Sequence, residues 1–297
     1  MWKFTYTQSE RKRLQAHVSV VKEISKFSVF IFHLYLPVWP FSKKTTIAAS
    51  GILSGAADHH SHILPGVDDG VETVDEVLRI LAAYEDLGIK ELWLTPHIME
   101  DIPNTPDKLN ARFAELKERY TGNITLHLAA EYMIDNHLRK LLQETPPRFR
   151  GEVVEDRRGE KKTKECPKLL PIGKSGKHLL VETSYFNPPM RFRETLRQIK
   201  SIGYHPLLAH PERYMYMDES EYRRLREEGV RFQLNIVSLA GGYGKTVRKK
   251  ALWLLNNDFY HVAGSDLHCE DAIEYITSCK LDEKSLMNVA QLLKNRI

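Results

Sequence analysis

From Asp58 onward the chain alternates short apolar runs with amphipathic stretches, and each apolar run ends in a polar or charged cluster. Runs at 89–95, 124–130, 178–181, 205–209, 231–236 and 261–264 read as strands. Between or after them, apolar positions at helical spacing predict helices at 73–87, 105–120, 192–202, 219–228, 245–256 and 284–294. The first helix has Thr73 and Glu76 in capping-box spacing, aligns Val74, Val77, Leu78, Leu81 and Leu87, and stops at Gly88. The second has Thr105 as its cap and Pro106 at its first position, with Leu109, Phe113, Leu116 and Tyr120 on one face. Strands alternating with helices in this order predict an α/β fold with parallel strands.

Two stretches fall outside the pattern. Residues 1–55 open with Arg11, Lys12 and Arg13, continue through an apolar run at 27–41 and reach Lys43 and Lys44. That run contains Pro37 and Pro40 and falls short of the roughly 20 residues a membrane-spanning helix needs. It reads as an N-terminal extension, flexible or created by a start set too far upstream, with a membrane-surface anchor as the alternative. A charged segment at about 148–168 reads as an insertion exposed on the surface, with a lid as the alternative. The remainder, 56–297, is expected to form one domain.

Composition narrows the class. With 297 residues, 42% hydrophobic and 28% charged, the chain is globular and neither disordered nor fibrous. The net charge of +4 comes largely from the first 50 residues, so no basic stripe marks the folded part and nucleic acid is not an expected partner. Cys166, Cys269 and Cys279 form no CxxC pair and leave an odd thiol, which suggests a reducing compartment and a cytoplasmic location. None has an arginine six positions on, so a cysteine-nucleophile phosphatase loop is absent.

The chemistry sits at the strand ends. Asp58-His59-His60-Ser61-His62, Thr95-Pro96-His97, Ala130-Glu131-Tyr132, His210-Pro211-Glu212-Arg213 and Ser265-Asp266-Leu267-His268 each close a strand, and Asp68-Asp69 follows the first cluster. In a β/α barrel such ends converge on the C-terminal rim. On an extended segment His60 and His62 point to the same face, as two ligands of one metal must, and Asp266 with His268 repeats the spacing. Five imidazoles (His60, His62, His97, His210, His268) and three carboxylates (Asp69, Glu131, Asp266) exceed what one tetrahedral zinc takes; Asp68 could reach the rim as readily as Asp69. They suit two or three divalent ions, with Mn, Fe or Zn favoured over Ca or Mg. Such a site attracts a phosphate dianion, lowers the pKa of water and stabilises charge on the attacking and leaving oxygens. Arg213 could hold two phosphate oxygens through its fork.

The segments DHHSHILPGVDDG, TPHIMEDIPNTP, AAEY, AHPERY, LNIVSLAGGYGK and GSDLH together resemble the polymerase and histidinol phosphatase (PHP) superfamily. Within it the chain is most similar to the bacterial manganese-dependent tyrosine-protein phosphatases encoded with capsular or exopolysaccharide genes. The resemblance implies a distorted (β/α)7 TIM-like barrel with a metal site at its C-terminal rim, and Mn2+ as the ion. It implies that His60 and His62 hold one ion that Asp266 closes, that Glu131 bridges two, and that His97 and His210 complete the second. Asp69 and His268 would serve the third, Arg213 would contact the substrate phosphate, and Asp58 would orient the first histidines. His59 stands where the family is usually apolar and reads as a strand residue facing solvent or the barrel exterior. The implied substrate is a phosphotyrosine protein, the tail of a bacterial tyrosine kinase that controls polysaccharide export. Membrane association would then come through that partner or the N-terminal extension, placing the protein peripheral to the inner membrane. The alternatives are a small-molecule phosphatase such as a histidinol phosphatase, and a non-catalytic regulatory barrel.

Overall fold

A computed structural model describes residues 44–147 and 169–297. The basic opening, the apolar run and the charged insertion lie outside the described residues. The strands are β1 (Thr45–Thr46), β2 (Ala57–Asp58), β3 (Glu91–Leu94), β4 (His97–Ile98), β5 (Thr125–Leu128), β6 (Glu131–Met133), β7 (His178–Glu182), β8 (His205–Ala209), β9 (Arg231–Asn235), β10 (Val262–Gly264) and β11 (Lys280–Leu281). One sheet has the order β2-β3-β5 and a second the order β10-β9-β8-β7-β6-β4, with every neighbouring pair parallel. The result is an α/β fold built on a parallel half-barrel.

The two sheets are stitched at both ends. Only Thr95-Pro96 separates β3 from β4, and only Ala129-Ala130 separates β5 from β6. Ala129 N donates to Leu94 O at 2.9 Å and Glu131 N to Pro96 O at 3.1 Å, so bonding runs on across the bend; Pro96 has no N–H to continue a regular ladder. At the other side Ser61 bridges Leu267 in parallel, His62 N donates to Leu267 O and Asp266 N to His60 O, both at 2.8 Å.

The expected helices are present as Val74–Asp86, Pro106–Arg119, Phe192–Ser201, Glu219–Glu227, Gly244–Asn256 and Glu283–Lys294. Thr73 and Thr105 cap the first two, each hydroxyl accepting from a backbone N–H three residues on at 3.3 Å. The pattern missed the shorter helices Asn136–Glu144, Ile236–Ala240 and Ala272–Ser278. They are one to three turns long, too short for a periodic signal to stand out.

Strands covered on both faces divide their side chains between two cores. Leu179, Val181, Leu208, Phe232, Leu234 and Ala263 join the large core beneath the helices. The alternate residues Trp93, Ala129, Leu180, Leu207, Ala209 and Val262 form a second cluster with Ile172 and Ile297. Along this inner face the chemistry changes at the strand ends: two residues after Ala129 comes Glu131, and two after Leu180 comes Glu182.

The boundary expected at 55 falls earlier. Thr45 pairs with Leu281 and Thr46 with Lys280, Ile47 N donates to Cys279 O at 2.9 Å, and Ile47 and Leu53 are buried. Residues 44–55 therefore belong to the packed body. No helix among the described residues is long and apolar enough to cross a membrane.

Candidate metal centre

The strand ends bring all eight anticipated residues to one place. His60, His62, Glu131, His210, Asp266 and His97 are buried, His268 is half-buried, and Asp69 is exposed. His60 Nε2 and His62 Nε2 face each other at 3.0 Å. Glu131 Oε2 lies 3.3 Å from each, and Asp266 Oδ1 lies 3.4 Å from each.

The far sides of the two rings fix their tautomers. His60 Nδ1 meets Gln233 Oε1 at 3.0 Å, and His62 Nδ1 meets Asp68 Oδ2 at 2.9 Å. Opposite these acceptors each Nδ1 carries the proton, so both Nε2 lone pairs point inward. Two lone pairs and two carboxylate oxygens then converge with no donor among them, an arrangement that a cation satisfies. Burial opposes charge on His60 and His62, yet Glu131 and Asp266 outweigh it and raise both pKa values. The centre thus holds a negative potential that draws in positive charge.

Glu131 extends the cluster. Its Oε1 lies 3.1 Å from His210 Nε2, and its Oε2 lies 3.3 Å from His97 Nδ1. Both its oxygens, with His97 Nδ1 and His210 Nδ1, are buried without a hydrogen-bond partner. In a dry site such orphaned atoms are costly unless something else binds them. Farther out, Asp69 Oδ1 lies 3.5 Å from His97 Nε2 and 3.7 Å from His268 Nε2. Among the described residues three groups could each hold an ion: His60, Glu131, His210 and Asp266; His62, Asp69, His97 and His268; and His97, Glu131 and Glu182.

Glu182 went unrecognised in the sequence. It is buried, with Oε1 3.3 Å from His97 Nδ1 and Oε2 3.8 Å from His210 Nε2. Burial, then the neighbouring Glu131 and Asp266, raise its pKa well above the usual carboxylate range. The usable signal was an acid closing an apolar run two residues after Leu180, the relation that links Glu131 to Ala129.

Asp68 and Asp69 divide two tasks. Asp68 Oδ2 accepts from both His62 Nδ1 and His97 N, and its Oδ1 from Gly70 N, so it orients rings while Asp69 faces the cluster. Asp58 works on main-chain groups. Its Oδ1 accepts from His60 N at 3.2 Å and Ser265 N at 2.8 Å, and its Oδ2 from Tyr84 OH at 3.0 Å. It clamps the backbones that follow β2 and β10, and so acts on the first histidines through the main chain. His59, expected to face solvent or the exterior, is buried; its Nδ1 lies 3.2 Å from Ala263 O, outside all three groups.

Arg213 ends the 3-10 turn Pro211–Arg213. Its Nη1 donates to Asp266 Oδ2 at 2.8 Å, and its guanidinium lies 4.3 Å from the Tyr185 ring centroid and 4.1 Å from that of Tyr243. With two aromatic rings against it, the guanidinium keeps its N–H groups for hydrogen bonding. Asn235 Nδ2 also donates to Asp266 Oδ2 at 2.8 Å, leaving Oδ1 for the cluster. His210 and Asp266 have φ values of 32° and 54°, the left-handed region that side chains rarely adopt. Glu212, whose pKa burial pushes up to about 7, accepts from Asn235 N and Tyr260 OH beneath the His210 turn. Strained backbone held by buried hydrogen bonds is the mark of a functional site.

Parallel strands whose C-terminal ends gather buried imidazoles and carboxylates around orphaned ligand atoms define an α/β protein on a parallel half-barrel with residue groups able to bind metal. The chain belongs to the capsular polysaccharide synthesis CpsB/CapC family, whose model matches residues 56–148 and 161–280. It is 28% identical over 215 residues to the tyrosine-protein phosphatase YwqE of Bacillus subtilis, covering 71% of this chain and 76% of that protein. It is 26% identical over 227 residues to the tyrosine-protein phosphatase CpsB of Streptococcus pneumoniae, covering 72% and 84%. A solved structure from work on these two proteins, described as metal-dependent tyrosine phosphatases, aligns with a TM-score of 0.61 at 22% identity, over 80% of this chain and 93% of that one.

Proposed function

We propose that this protein is a metal-dependent phosphomonoesterase that removes phosphate from tyrosine in proteins, its substrate being a tyrosine kinase that regulates capsular or exopolysaccharide synthesis. The observation that carries this reading is the set of inward Nε2 lone pairs and carboxylate oxygens of His60, His62, Glu131 and Asp266, closed on one side by Arg213. The family and the names of its tyrosine-phosphatase members supply the substrate class.

In this reading His60, Glu131, His210 and Asp266 would hold one divalent ion, and His62, Asp69, His97 and His268 a second; His97, Glu131 and Glu182 could take a third. Manganese is the ion proposed, with iron and zinc as alternatives. When bound, such ions supply Lewis acidity and make water a nucleophile near neutral pH. The chain's own residues do the positioning. Asp68 and Gln233 keep the first imidazoles in the tautomer that faces inward, and the Tyr185 and Tyr243 rings pack against the Arg213 guanidinium that would bind phosphate oxygens.

The same reading joins the two sheets into one distorted barrel of seven strands. The bends at Thr95-Pro96 and Ala129-Ala130 make single strands of β3 with β4 and of β5 with β6, and the Ser61–Leu267 bridge brings β2 to β10; these features support closure. We place the reaction on the cytoplasmic side, with the kinase bringing the phosphatase to the membrane.

The test combines metal analysis with a substrate panel. His60→Ala and Glu131→Ala should lose bound metal by elemental analysis and lower hydrolysis of a phosphotyrosine peptide by about 100-fold or more. Full activity in both variants after exhaustive chelation would overturn the proposal. Higher kcat/KM on histidinol phosphate than on the peptide would move the substrate to the small-molecule class.

A further inference from the structure

The metal centre is buried, so a phosphotyrosine that reaches it leaves its own backbone and flanking residues on the rim above. Two loops make up part of that rim, residues 183–191 after β7 and 214–218 after β8. Their large apolar side chains are turned to solvent: Phe186 is 73% exposed, Met190 82% and Met215 48%. Single exposed apolar residues are ordinary, but these three stand on adjoining loops. Met215 N donates to Tyr185 O at 2.7 Å, and the Tyr185 ring in turn covers Arg213. The loop that carries Phe186 and Met190 and the loop that carries Met215 are thus joined at Tyr185, whose ring lies against Arg213.

The loops are also anchored. Thr183 N donates to Tyr214 OH at 3.3 Å, and the hydroxyls of Thr183 and Tyr216 are hydrogen-bonded at 3.2 Å. Arg139 Nη1 donates to Met190 O at 3.2 Å, Phe192 N to Pro189 O at 3.2 Å, and the Phe192 side chain is buried. A ledge fixed at both ends presents its apolar groups with little ordering left to do on binding.

We propose that Phe186, Met190 and Met215 form a docking ledge for the polypeptide that flanks the phosphotyrosine, taking apolar side chains of the substrate next to the modified residue. This rests on the reading of the centre as a phosphotyrosine phosphatase and adds where its protein substrate is gripped. A small phosphate ester fills the centre without reaching the ledge, whereas a peptide spans both. The ledge thus sets KM for protein substrates and leaves the reacting groups alone.

The experiment compares wild type with Phe186→Ser, Met190→Ser, Met215→Ser and the triple variant. Each is assayed on a small aryl phosphate and on phosphotyrosine peptides of increasing length with apolar or polar flanks. Binding of a non-hydrolysable phosphonate peptide is measured alongside. The triple variant should lose about tenfold or more in kcat/KM on apolar-flanked peptides through KM, with matching loss of phosphonate-peptide affinity. Its kcat/KM on the small ester should equal that of wild type, which also establishes that it folds. Equal losses on both substrate types, or no loss on peptides, would overturn the ledge while leaving the phosphatase intact. A wild-type protein that hydrolyses the small ester but no phosphotyrosine peptide would overturn the functional reading, and the ledge with it.

Discussion

A Cβ built on Gly264 would lie 2.5 Å from His60 Cβ and 2.7 Å from His60 N. The hydrogen atom at this position is what lets the chain after β2 press against β10 and aim His60 at the cluster. Gly264→Ala should cost about 1–3 kcal/mol through overpacking and displace His60. The check is a lower melting temperature together with reduced metal content; a variant that melts and binds metal as wild type does would contradict this account. At this scale much of the site was legible, because His60, His62, His97, Glu131, His210, Asp266 and His268 stand where apolar runs stop. Gln233 was not, since it lies inside the strand β9, where a polar residue has no turn or cluster beside it to mark it out; Glu182 closes β7 as Glu131 closes its own apolar run and was overlooked for want of a histidine or second acid beside it. The geometry of Asp68 was also out of reach, as its partners, His62 Nδ1 and His97 N, come from two segments that only the fold brings together.

Elements with strong caps and long apolar faces were readable almost to the residue, as Pro106–Arg119 and His205–Ala209 show. Those stabilised by a distant partner were not. β1 is two residues long and exists because Leu281 and Lys280 pair with it, and the helix Ile47–Ser50 is a single turn held by Ile47 in the core. Tertiary contact, rather than propensity, makes these pieces regular. Their burial sets an expectation: Ile47→Ala should cost about 2–5 kcal/mol in urea unfolding. A loss below about 0.5 kcal/mol, the range of surface substitutions, would return residues 44–55 to the extension.

Across the whole molecule, buried and half-buried histidines outside the three ligand groups tie stability to pH. Burial, reinforced by Arg231, His205, His261 and Lys177, pushes His178 down to about 3. Burial lowers His59 to about 4, and burial with Arg231 and Arg226 lowers His261 to about 4. All three are neutral when folded but take up protons near 6.5 when unfolded, so below about 6.5 the unfolded chain binds more protons. Stability should fall as pH drops from about 6.5 to about 4, and for His178 on toward about 3. Denaturant unfolding at a series of pH values, with chelator present to remove the metal contribution, measures the slope. His178→Leu should make the decline shallower, whatever its effect at pH 7, and an unchanged slope would exclude His178 as a source.

The packing of Trp93, Leu180, Leu207 and Val262 just upstream of the carboxylates has a consequence for traffic. Those side chains pack an apolar floor upstream of Glu131 and Glu182, a surface that a phosphate dianion does not cross. Ester and freed phosphate must use the same doorway in opposite directions. Each turnover therefore has to clear the entrance before the next phosphate can be presented.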